Sequence, residues 1–74
     1  GVLVLADLGS GIMSAETALE LLDPGLGARA RLSPAPLVEG LVGAYAAAGI
    51  GKPFDDVAGE AEAATEAKRI QMAR

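Results

Sequence analysis

Asp7, Ser10 and the glycines at positions 9 and 11 are the residues of this 74-residue chain whose types and spacing could do chemistry. They stand in Val2-Leu3-Val4-Leu5-Ala6-Asp7-Leu8-Gly9-Ser10-Gly11, an apolar run that stops at a carboxylate and passes into a glycine-rich turn. Glycine lets a backbone take positive φ and come close to a ligand, and main-chain N–H groups at a helix start can hold an anion. A phosphoryl group suits such a loop. Gly9 and Gly11 would form the phosphoryl-binding turn, Ser10 could donate to a phosphoryl oxygen, and Asp7 could hydrogen-bond an imidazole and orient it. The chain has no histidine, cysteine or tryptophan, so it cannot itself supply that imidazole. On spacing alone, Asp7 and Ser10 also suit an ordinary turn. Without histidine, cysteine or clustered carboxylates around the loop, neither a metal nor a resident cofactor is expected.

A dinucleotide site is a second reading of the same stretch. Gly9-Ser10-Gly11-Ile12-Met13-Ser14 approaches G-x-G-x-x-G, with serine in place of the third glycine. The acidic ribose ligand expected about 20 residues further on is absent, and Arg29 stands near that place. Other polar residues have plainer explanations. Ser14 precedes Ala15-Glu16-Thr17 as a helix N-cap. Glu39 near a helix start answers to the helix dipole, and Tyr45 at helical spacing to packing.

The elements that must position the loop follow from apolar spacing. Val2 to Ala6 reads as a strand buried on both faces, as in a parallel sheet. Asp7 to Met13 reads as loop, and a helix follows with Ala15, Ala18, Leu19 and Leu22 on its inner face, ending at Asp23-Pro24-Gly25. Ala28 to Leu32 makes a second strand with Arg29 and Arg31 on a wet face or sheet edge, which completes a βαβ unit. Pro36 opens a helix on which Leu37, Leu41, Ala44, Tyr45 and Ala48 share a face, ending at Gly49-Ile50-Gly51. Asp55 caps a last helix toward Ala73, with acids early and bases late as the dipole prefers. The order is β-α-β-α-α. Two strands do not make a stable sheet alone, so the sheet must continue elsewhere.

Half the residues are hydrophobic, yet sixteen are alanine and only Tyr45 and Phe54 are aromatic. Small side chains bury little area each, and the core should be thin. A net charge of −4 with no basic, aromatic-studded groove argues against nucleic acid. No apolar stretch approaches the ~18 residues of a membrane span, and no signal-peptide pattern precedes the first strand.

Two longer stretches, Asp7-Leu8-Gly9-Ser10-Gly11-Ile12-Met13-Ser14 continuing to Leu22, and Arg31-Leu32-Ser33-Pro34-Ala35-Pro36-Leu37-Val38-Glu39-Gly40, together resemble one family. It is the mannose-type enzyme IIA family of the sugar phosphotransferase system, in its branch of phosphotransfer subunits of PEP-dependent dihydroxyacetone kinases. The resemblance implies an open, doubly wound, mostly parallel α/β sheet, of which residues 1–74 are the C-terminal half of a single domain. It also implies a cytoplasmic homodimer in glycerol metabolism. In that relay the phosphocarrier protein HPr phosphorylates a histidine, which passes the phosphoryl group to ADP on the kinase's nucleotide-binding subunit and on to dihydroxyacetone. Asp7 matches the aspartate beside that histidine, and Gly9 and Ser10 match the loop bordering the phosphoryl group. The histidine itself falls upstream of Gly1, so the chain alone is expected to be inactive. A nucleotide-binding half-domain, and a non-catalytic dimerisation remnant with Leu41 and Tyr45 at its interface, remain the alternatives.

Overall fold

A computed structural model describes residues 1–73. The β-branched apolar run forms β1 (Val2–Leu5), which pairs in parallel with β2 (Ala30–Ser33), in register from Val2 opposite Ala30 to Leu5 opposite Ser33. Between them lie α1 (Ser10–Glu20) and the single turn α2 (Pro24–Gly27); α3 (Leu37–Gly49) and α4 (Phe54–Met72) follow. Successive strand residues face opposite sides. Leu3 and Leu5 pack on the core built by α3 and α4. Val2 and Val4 line a cleft with Leu19, Leu22 and Leu26 of the first crossover. Helices therefore serve both faces of a parallel pair, as the sequence led us to expect. Among the described residues the outer edge of β1 has no strand partner, and β1 is only partly buried.

Three local expectations are corrected. α1 starts at Ser10, four residues before the serine expected to cap it. Gly9 is the N-cap, at φ 75° and ψ −129°, and no side chain bonds to the free N–H groups. Only glycine takes this backbone without strain, and Ser14 lies inside the helix. Asp55 likewise stands in the first turn of α4, behind an N-cap at Pro53. There its carboxylate meets Arg31 of β2 at 3.4 Å, while the Arg31 guanidinium lies 5.6 Å from the Phe54 ring centroid. Asp23, expected to end α1, caps α2 by accepting the Leu26 N–H at 3.0 Å.

A fourth correction concerns α3. The residues it buries are Gly40, Ala44 and Ala47, whereas Leu37, Leu41 and Tyr45 are exposed. Its partners on α4 are Val57 and Ala61. Close approach explains the choice. A Cβ on Gly43 would stand 2.9 Å from the Glu60 carbonyl oxygen, and one on Gly40 would stand 2.8 Å from the Ala35 Cβ. The helices meet backbone to backbone, and larger side chains are displaced to the flanks. The core is as thin as the composition implies: Val57 is the largest side chain buried in it. The Cα framework measures 45 × 31 × 13 Å.

Gly59 tests the reverse case. A Cβ there meets nothing within 4 Å, and the residue sits inside α4 on its exposed side. Gly59→Ala is expected to stabilise the chain by about 0.5–1 kcal/mol, because alanine loses less backbone entropy in a helix. Thermal unfolding followed by circular dichroism reads the gain.

The last turns of α4 hold a titratable pair. Arg69 Nε donates to Glu66 at 3.0 Å, and this guanidinium holds the Glu66 carboxyl below its usual range and raises Arg69 in turn. A carboxyl lowered by folding adds stability above its unfolded pKa and loses it as pH falls through the folded value. The end of α4 should therefore fray on acidification below the usual carboxylate range, with a small amplitude because the pair is exposed. Glu66→Gln should remove that step from an NMR titration of the Arg69 and Ile70 amides.

Candidate functional site

Parallel pairing in register brings the carboxyl ends of β1 and β2 side by side, the place where open α/β sheets bind ligands. The chain leaving each strand forms one wall of a cleft of about 420 Å³. Ala6, Asp7, Leu8 and Ile12 make the first wall, and the segment from Ser33 to Glu39 makes the second. The two stretches picked out in the sequence thus meet at one opening.

Asp7 is exposed at the mouth, and its Oδ1 accepts the Leu8 N–H at 2.9 Å. That local bond holds the carboxylate on its turn and leaves the second oxygen without a protein partner among the described residues. Gly9, Ser10 and Gly11 do not line the cleft; they form the N-terminal end of α1 directly after its first wall. Ile12 and Met13 N–H both reach the Gly9 carbonyl, at 3.1 and 3.4 Å. The N–H groups ahead of them have no intrahelical acceptor and no side-chain cap, so an anion at this end would meet free donors and the positive end of the dipole.

The second wall holds what sequence reasoning missed. Glu39 lines the cleft with Asp7, although the dipole alone accounts for its place in the first turn of α3. Leu8 and Ile12 supply apolar lining. No basic residue lines it; Arg31, Lys52 and Arg69 are each paired with a carboxylate of α4. The signal for the wall was available in Ser33-Pro34-Ala35-Pro36, where two prolines restrict the chain on each side of an alanine.

A parallel pair flanked by helices, with Asp7 and Glu39 in the cleft beyond its carboxyl ends and a glycine-capped helix beside it, places the chain in the α/β class with a parallel sheet. The family described as the PTS system fructose IIA component, EIIA-man, matches residues 1–58. The chain belongs to that family. It is 51% identical over 71 residues to the phosphoryl donor subunit DhaM of the PEP-dependent dihydroxyacetone kinase of Klebsiella michiganensis, and 52% identical over 71 residues to the DhaM subunit of Escherichia coli. Each alignment covers 96% of this chain and 15% of the relative's length. The corresponding subunit of dihydroxyacetone kinase 2 of Listeria innocua is 54% identical over 39 residues, 53% of this chain and 31% of that protein. No solved structure matches. No helix among the described residues is long and apolar enough to cross a membrane.

Proposed function

We propose that residues 1–74 form the C-terminal half of a phosphotransfer domain that relays a phosphoryl group in a PEP-dependent dihydroxyacetone kinase. One observation carries this reading: the two segments that resemble the family's phosphoryl donor subunits converge on a single cleft at the carboxyl ends of β1 and β2. Asp7 orients an imidazole and stabilises its positive charge as the phosphoryl group arrives and leaves. The free N–H groups at Gly9–Gly11 and the Ser10 hydroxyl receive the phosphoryl oxygens. Catalysis of this kind is mostly positioning and electrostatics. The histidine comes from outside these residues, since none of the 74 is histidine, and the segment alone accepts no phosphoryl group. HPr is the donor, and ADP on the kinase's nucleotide-binding subunit is the acceptor on the way to dihydroxyacetone. The assembled protein works as a cytoplasmic homodimer in glycerol metabolism.

The relay reconstituted from PEP, the general phosphotransferase proteins and the kinase subunits tests it. A complete protein carrying this segment should support dihydroxyacetone phosphorylation, and Asp7→Ala should slow it. Unchanged turnover would remove Asp7 from the site.

A further inference from the structure

Ser33 is the buried polar residue of the described chain, 7% exposed, and it closes β2 opposite Leu5. Its Oγ accepts the Ala35 N–H at 3.1 Å. Pro34 and Pro36 have no N–H, so Ala35 offers the sole backbone donor between Ser33 and Leu37, and Ser33 takes it. Ala35 is itself part of the core, and Pro36 then starts α3, its carbonyl accepting the Gly40 N–H at 2.7 Å. The wall that faces Asp7 is therefore fixed at its two ends by β2 and α3, and in its middle by the packing of Ala35 in the core together with one hydroxyl.

We propose that Ser33 is a positioning residue of the cleft: its hydroxyl holds the Pro34–Pro36 wall in place across from Asp7, so that a phosphoryl-bearing imidazole sits between them in transfer geometry. The assignment rests on the function proposed above. Nothing in it requires Ser33 to touch the phosphoryl group. A hydroxyl lost here leaves a buried N–H unpaired, and a wall displaced by a fraction of an ångström misaligns reacting atoms without removing any group that binds the donor protein.

Threonine and valine at position 33 have nearly the same shape and differ in the hydroxyl, and both suit a strand. In a complete protein carrying this segment, Ser33→Thr should keep the single-turnover transfer rate from phosphorylated HPr near wild type. Ser33→Val should lower it about tenfold with the KM for HPr unchanged. In the same complete protein, Ser33→Val should speed hydrogen exchange at Ala35, and Ser33→Thr should not. Because Ser33 acts through the placement of Asp7's partner, Ser33→Val added to Asp7→Asn should cost much less than it does alone. Equal rates for the threonine and valine proteins, or the same loss in both Asp7 backgrounds, overturn the assignment. If Asp7→Asn is itself without effect, the phosphoryl-transfer reading fails first, a result distinguishable from one in which Asp7→Asn slows transfer and Ser33→Val does not.

Discussion

Asp7→Asn, in a protein that carries this segment with its phosphoryl-accepting histidine, is expected to slow phosphoryl transfer about a hundredfold, within the range of positioned acid–base groups. Asparagine keeps the size of the side chain and its carbonyl can still accept the Leu8 N–H, the one bond that the Asp7 carboxylate makes to the protein. What it loses is the negative charge that supports an imidazolium. Its amide can also turn a donor toward a ring N–H that needs an acceptor. The effect should fall on the rate of the chemical step and not on the KM for HPr, because the charge matters most as the ring gains or sheds the phosphoryl group. Stability should move by less than about 0.5 kcal/mol, as for other exposed substitutions. Rapid-quench single turnovers, with thermal unfolding as the control, separate the two. A fall in rate matched by a fall in melting temperature would assign Asp7 to the turn alone.

The largest effect on folding is expected at Gly43. A Cβ there would stand 2.9 Å from the Glu60 carbonyl oxygen and 3.4 Å from its carbonyl carbon. Backbone inside a helix has little room to yield, so α3 and α4 must separate along the seam that carries most of the core. Gly43→Ala gains about 1 kcal/mol of helix propensity and should still be a net loss of about 1–2 kcal/mol from overpacking. Gly43→Val adds two methyl groups at the same contact and should cost about 3 kcal/mol or more. For a chain of this size each kcal/mol shifts the midpoint by about 4–8 °C, so Gly43→Val should lower the melting temperature by about 12 °C or more, or leave no folded state. Gly59→Ala makes the natural control, being the same substitution in the partner helix with open space around it. Equal melting temperatures for Gly43→Val and the parent chain would mean that the seam is not where the two helices meet.

Much of this architecture could be read from residues. The run Val2–Leu5 announces its strand by β-branched and apolar content, and Pro36 and Gly49 bracket α3 because one lacks an N–H and the other loses more backbone freedom in a helix. Parallel pairing followed from strand, helix and strand in succession. What escaped has a common cause: small residues carry weak signals. Capping preferences favour Ser14 over Gly9, yet the positive φ at Gly9 lets α1 begin earlier. Asp23-Pro24-Gly25 reads as a terminator, although proline at the first helical position and an aspartate cap sustain one extra turn. On α3 the eye follows Leu41 and Tyr45, but the contact is made where side chains are nearly absent. The candidate site was half legible. Asp7 stood out by type and position, whereas the wall opposite it is held by the packing of Ala35 and by the Ser33 hydroxyl accepting the Ala35 N–H, a local serine turn whose signal is weak beside that of the two prolines.

The 13 Å thickness of the Cα framework has a consequence for chemistry. A slab so slender keeps solvent within reach of every ionisable group, and at 4 Å a full charge acts with only about 1 kcal/mol through water against about 4 kcal/mol at a typical protein–solvent boundary. Asp7 on this layer alone is thus a muted charge. In the proposed relay, a histidine-bearing partner that covers Asp7 would also exclude bulk water, strengthening the same carboxylate by lowering the local dielectric constant around it.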